Sequence, residues 1–146
     1  MPETLQFLAT LTTAFFCGAA IYINVAEQPS RRSLDSHSAA AQWAVSYKRA
    51  TWMQAPLAIV GFVAGVGVWL LEGDLLWLIA GLLIGAVVPF TLIVIMPTNQ
   101  QLLGRGFNPT QTPELLERWG RLHGIRTALS AIATVLMLSS LLTAGR

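Results

Sequence analysis

"GFVAGVGVWLLEGDLLWLIAGLLIG", residues 61–85, is two apolar runs divided by one short polar break, Glu72-Gly73-Asp74. Each run is part of a longer one, Trp52–Leu71 and Leu75–Met96, near the ~20 residues that a helix needs to cross a bilayer. So short a link forces the two helices to fold back as a tight antiparallel hairpin. Both carry small residues at GxxxG spacing, Gly61 and Gly65 on one, Gly81 and Gly85 on the other. Missing side chains let helix backbones approach, and such packing holds helices together in lipid. The same faces serve either this intramolecular packing or a homodimer.

Two further runs flank the hairpin, Thr4–Ala26 and Ile125–Leu142. The expected fold is therefore all-α: a single domain, residues 1–146, built as an antiparallel four-helix bundle integral to the membrane. Composition agrees, with 54% hydrophobic residues, 11% charged and a mean hydropathy of +0.60, against roughly 25% charge in a soluble domain. A net charge of only +2 excludes nucleic acid as an expected partner and leaves the lipid bilayer. The first run is read as a retained span. "MPETLQ" has no basic n-region, and Asn24 stands where a cleavage site ending at Ala26 would need Ala. The lone Cys17 lies within this run, has no intramolecular disulfide partner and reads as a structural thiol.

The connections at residues 27–51 and 97–126 hold eight of the nine Lys and Arg, all but Arg146. With four spans these two loops share one side. The positive-inside rule places them in the cytoplasm and both termini outside. They are not disordered. "SLDSHSAAAQWAVSYKRATWMQAP" opens with capping residues and sets Trp43 and Tyr47 four apart, so helix two is expected to start well before the membrane. "TQTPELLERWGRLHGIR" offers Thr112 as a cap, Pro113 at the first helical position and Glu114 at the positive end of the dipole. Helix four should run from there into its span despite Gly120 and Gly124. Pro89 removes a backbone bond within helix three and predicts a bend.

Helix one ends unusually. In "YINVAEQPSRR", residues 22–32, an amide and a carboxylate, Asn24 and Glu27, lie one turn apart before an expected break at Pro29. Membrane helices ordinarily end in Trp, Tyr, Lys or Arg near the headgroups. The topology supplies a reason, because the basic ends of all four helices converge and each brings polar groups. Helix one gives Asn24, Glu27 and Arg31; helix two gives Tyr47, Arg49 and Gln54; helix three gives Asn99. Helix four gives Trp119, His123 and Arg126, on one face by their spacing. Groups of this kind at one depth are costly unless they satisfy one another or bind something. Interfacial Arg and Glu also snorkel or pair merely to fix helix register.

Five motifs in order, "EQPSR" (27–31), "SYKRA" (46–50), "PFT" (89–91), "MPTNQQL" (96–102) and "RWGRLHGIR" (118–126), resemble the anthrone oxygenase-like family of small four-span membrane proteins. The resemblance extends from Gly18 to Arg126. It implies an enzyme that oxidises anthrones to anthraquinones with molecular oxygen and without an evident cofactor. It also carries over Glu27, Arg31, Asn99, Trp119, His123 and Arg126 as site residues.

Such chemistry needs a base, donors for an oxyanion and an apolar, aromatic-lined pocket. His123 titrates near neutrality and suits the base. Arg126 and Asn99 suit the oxyanion, Glu27 suits a hydrogen-bond partner that orients His123, and Trp119 suits stacking on a flat ring system. Asn24, Arg31, Tyr47, Arg49 and Gln54 complete the expected substrate-binding set for an apolar aromatic small molecule. Two other readings stay open. A metal- or haem-dependent oxidoreductase would draw on His123 and Glu27. Catalytic zinc generally takes three protein ligands, His37 sits in a hydrophilic loop start, and the sequence has no HxxxH, ExxH or CxxC; no metal or other cofactor is expected. The alternative is a membrane protein that binds an apolar small molecule without catalysis. Four spans without an inverted repeat argue against a stand-alone transporter.

Overall fold

The computed structural model describes residues 2–104 and 108–144. Arg105 and Arg146, which contribute to the charge distribution above, lie outside the described residues. Four long helices follow one another: α1 is Pro2–Arg32, α2 Ser36–Glu72 and α3 Leu75–Leu103, and α4 is Thr112–Ala144. No strand occurs among the described residues. Each helix packs against its neighbour in the chain, and α4 closes the ring against α1. All four are long and apolar enough to cross a membrane, and the chain is an integral multi-pass membrane protein. Phe7, Phe15, Leu70, Ile93, Val135 and Leu142 are all more than half exposed on its outside. Lipid tails solvate such a surface as readily as other side chains would.

The hairpin has the expected form. α2 stops at Gly73, whose φ of 76° is a left-handed conformation that favours glycine. Asp74 then caps α3 by accepting from the Leu76 N–H at 2.9 Å, and its second oxygen accepts from the Ser140 hydroxyl at 2.5 Å. The short link is thereby tied to α4. A Cβ on Gly65 would stand 3.2 Å from the Gly81 Cα, and one on Gly85 would meet the Phe62 ring at 2.6 Å. The four spaced glycines are thus packed inside the bundle.

At the other end α2 and α4 begin well before their apolar runs, as the sequence suggested. Asp35 caps α2 by accepting from the backbone of His37 and Ser38 at 3.1 Å each. Hydrogen bonding, from Ser38 above all, holds its carboxyl below the ordinary carboxylate range. Thr112 differs from expectation. It is the first residue of α4, and its hydroxyl donates back to the Asn108 carbonyl at 2.9 Å. α4 passes Gly120 and Gly124 without interruption.

Two clusters fill the interior. One, nearer the hairpin, includes Phe16, Trp77, Ile84 and Met137. The second holds Ile23, Trp43, Ile95, Leu116 and Trp119 and lies at the basic end. The polar residues of interest surround this second cluster.

Candidate functional site

The helix carrying Asn24 and Glu27 does not break at Pro29. It widens instead into a π-helical turn, Ile23–Glu27, and continues to Arg32. The Gln28 N–H donates to the Ile23 carbonyl five residues back, just before Pro29. A proline ring clashes with the carbonyl four residues before it and offers no N–H, and a wider turn relieves both constraints. α3 repeats the device: the π turn Thr91–Ile95 ends with the Met96 N–H on the Thr91 carbonyl, immediately before Pro97. It begins just beyond Pro89, so the irregularity expected at that proline takes the form of a wide turn. Such turns are rare and concentrate at functional sites.

His123 is 1% exposed, and its partner is Asn24, not Glu27. The Asn24 Nδ2 donates to the Gly120 carbonyl at 3.0 Å. Its Oδ1 therefore faces His123 Nδ1 at 2.8 Å and accepts from the Thr127 hydroxyl at 2.6 Å. An amide oxygen only accepts, so Nδ1 must carry the proton, and the neutral imidazole presents Nε2 as its basic nitrogen. Trp119 stacks on the imidazole with ring centroids 4.9 Å apart, and Trp43 meets Trp119 edge-on at 5.9 Å. Arg31 and Arg126 are the charged groups that act on His123.

Glu27 belongs to a different unit. Arg31, 2% exposed, donates to Glu27 at 2.8 Å, to Gln28 at 2.6 Å and to Gln42 at 2.5 Å. Glu27 Oε1 also accepts from Gln42 at 3.0 Å and from the Ser46 hydroxyl. Gln28 in turn donates to the Leu116 carbonyl at 2.6 Å. A buried guanidinium with a carboxylate and two amides on three of its nitrogens has the satisfaction that a buried ion pair requires. The Arg31 guanidinium also lies 5.6 Å from the Trp119 ring centroid, so Trp119 has a cation nearby as well as an imidazole.

Arg126 forms the third unit. Its Nη2 donates to Gln54 Oε1 at 2.9 Å, and its guanidinium lies 5.3 Å from the Phe16 ring centroid. Both residues line a cavity of about 110 Å³, with Phe16, Tyr47, Ala58 and Thr91 among its other walls. Arg126 Nε and Gln54 Nε2 are buried without a hydrogen-bond partner among the described residues.

Asn99 is wholly buried, one turn after Ile95, and both its amide atoms lack partners among the described residues. Tyr47 stacks on Trp43 at 5.0 Å and reaches the Arg126 cavity. Arg49 stands apart: it is exposed, in a groove with Lys48, Trp52 and Leu103 on the outside of α2. The structure thus gathers Asn24, Glu27, Arg31, Tyr47, Gln54, Trp119, His123 and Arg126 into three adjoining units and leaves Arg49 out. Gln28, Gln42, Ser46 and Thr127 were not among the expected site residues. Gln28 lies in "EQPSR" and Ser46 opens "SYKRA", so two of them were inside motifs already noticed. Among the described residues no three His, Cys, Asp or Glu side chains form a group suited to a metal ion.

A polar groove of about 610 Å³, lined by Asn24, Gln28, Arg32, Glu117 and Gly120 among others, approaches the histidine unit from the basic end. The arginine cavity lies on the other side, toward α2 and α3. The site therefore combines an oriented neutral imidazole, a fork of N–H donors and aromatic walls, with openings of opposite polarity.

In comparisons with known proteins, residues 43–136 match the family model described as "Anthrone oxygenase". No curated protein and no solved structure matches the chain.

Proposed function

Because the chain belongs to the anthrone oxygenase family, we propose that it oxidises an electron-rich aromatic small molecule with O₂ inside the membrane, without a cofactor. The observation that carries this reading is the Asn24 amide, fixed by Gly120 and Thr127, which leaves His123 Nε2 basic in a water-poor setting. The substrate has a methylene or phenol whose anion is delocalised over aromatic rings. His123 removes the proton. Arg126 and Gln54 receive the oxygen on which the negative charge collects, and Asn99 supplies a further amide. The electron-rich anion then reduces O₂ directly and forms a carbon–oxygen bond. Loss of water leaves a ketone, so the methylene and O₂ give the carbonyl and one H₂O. Trp119 and Trp43 set the aromatic character of the surroundings.

The basic end, with Arg32, Lys48, Arg49, Arg118 and Arg121, lies in the cytoplasm on this reading and both termini lie outside, as the positive-inside rule favours. The test uses the full chain in lipid nanodiscs with a dihydroxyanthrone, following quinone absorbance and O₂ uptake together. One O₂ per quinone is expected, abolished in His123→Ala, sharply reduced in Arg126→Lys and unchanged by exhaustive chelation. A planar guanidinium fork is not reproduced by an ammonium. Activity lost on chelation and restored by one metal would overturn the cofactorless reading. Undiminished turnover in His123→Ala would overturn the base.

A further inference from the structure

The arginine cavity says more about its ligand than the family does. Its depth is formed by Phe16, Ala58 and Val87, and Thr51 of α2 and Leu92 of α3 stand at its edge. Both edge residues are exposed, and Leu92 is followed by Ile93, 73% exposed. In a membrane protein those side chains face lipid tails. The cavity therefore opens sideways, between α2 and α3.

Its polar atoms are one-sided. Gln54 is 2% exposed, and its Oε1 is held by Arg126, which fixes the amide so that Nε2 points elsewhere. That N–H₂ and the Arg126 Nε–H are both buried and unpartnered among the described residues. The Thr91 and Thr51 hydroxyls on the rim are spent on backbone carbonyls of their own helices, Val87 and Tyr47. Buried donors without acceptors are costly, and two on one small cavity define what would satisfy them: an acceptor oxygen without hydrogens to give. Size adds a second limit. About 110 Å³ is smaller than an engineered cavity of roughly 150 Å³ that holds benzene. A fused-ring ligand can place only one edge inside, and the rest must extend through the gap toward lipid.

We propose that this cavity is a lateral portal through which a bilayer-dissolved aromatic ketone or quinone inserts its carbonyl edge between α2 and α3, onto the Gln54 and Arg126 donors. This rests on the reading that Arg126 faces the ligand, but it concerns binding and does not require turnover. Gln54 is then a specificity-determining residue that tells a carbonyl-bearing ring system from a bare hydrocarbon of the same shape. A site built to donate hydrogen bonds disfavours the analogue that lacks the acceptor, because its own donors stay unpaired.

The experiment photolabels the full chain in nanodiscs with benzophenone, itself a flat aromatic ketone that inserts where its carbonyl sits, and maps the adducts by mass spectrometry. Adducts are expected on the cavity wall, at Met96 or Val88, with anthraquinone competing about ten-fold better than anthracene, the scale of one well-made hydrogen bond. Gln54→Leu, near in volume, should erase that preference while leaving competition by anthracene unchanged. Thr51→Trp, at an exposed position where folding is not at risk, should suppress adducts for every ligand. Adducts spread evenly over the lipid-facing surface, or equal competition by the two ring systems, would overturn the proposal. Oxidation of an anthrone without cavity adducts would sink the portal and leave the oxygenase standing. Cavity adducts without oxidation would do the reverse.

Discussion

Replacing Asn24 with Leu removes three hydrogen bonds at once: the donor to Gly120 at 3.0 Å and the acceptor for His123 at 2.8 Å and Thr127 at 2.6 Å. Leucine has nearly the same volume, so the cost is that of the lost polar contacts rather than of a cavity. Interhelical side-chain bonds in membranes average about 0.6 kcal/mol, whereas stranding a buried donor or acceptor costs about 1–3 kcal/mol. Three bonds together therefore predict a loss of about 2–4 kcal/mol. The measurement is unfolding of the purified protein in mixed micelles by SDS titration, run as a cycle with Thr127→Val. The Thr127 hydroxyl bond is removed by either change, so the two losses should overlap by about 0.6–1 kcal/mol. Additivity to within ~0.3 kcal/mol, or a total loss under ~0.5 kcal/mol, would refute the claim that this amide clamps α1 to α4. The same variant frees the imidazole to take either tautomer, and turnover of an anthrone should fall more steeply than stability does.

Three further outcomes follow from the bundle. Glu27→Gln leaves the Arg31 guanidinium, 1% exposed at its side chain, without its counter-charge, and should cost about 3 kcal/mol in the same unfolding assay; Arg31→Lys should also destabilise, because one ammonium cannot bond Glu27, Gln28 and Gln42 together. Gly65→Val should disrupt the hairpin, since a Cβ there already stands 3.2 Å from the Gly81 Cα, while Gly18→Ala meets nothing within 4 Å and should stabilise by about 0.5–1 kcal/mol; thermal scans of both variants check the contrast. In a Cys17→Ala background, Thr143→Cys should react with an impermeant thiol reagent in intact cells and Ser33→Cys should not, and the reverse pattern would invert the proposed orientation.

The bundle was legible because span length and the three-residue link leave few ways to fold. Convergence of the polar ends followed from the same topology. The pairing within the site was not legible, and Glu27 shows why. A regular helix would keep Asn24 and Glu27 on one face, toward α4. The wide turn between them adds a residue, so Asn24 stays against Gly120 and Thr127 while Glu27 swings to Gln42 and Ser46 on α2. Nothing in the residue pattern announces that phase shift except Pro29, which reads equally well as a stop. Arg49 was a different error. Tyr47 and Gln54, seven apart, share a face of α2, and Arg49, two residues past Tyr47, must point about 200° away from it. Gln42 and Thr127 carry no signal of their own, because a lone amide or hydroxyl gains meaning only from a partner on another helix.

The paired wide turns also turn chain length into a setting. Each one, Ile23–Glu27 and Thr91–Ile95, holds about one residue more than an α-turn, and one residue is about 100° of rotation. Excising Val25, or Val94, would let the helix close to its normal pitch and turn everything beyond it by that angle. In α1 this would carry Gln28 and Arg31 from the interior toward lipid; in α3 it would do the same to Asn99. The hairpin half, on the near side of both turns, would feel nothing. The molecule thus behaves as two dials on a common shaft: four spans whose packing is one solution, and a polar end whose phase can be reset by a single codon without altering the spans.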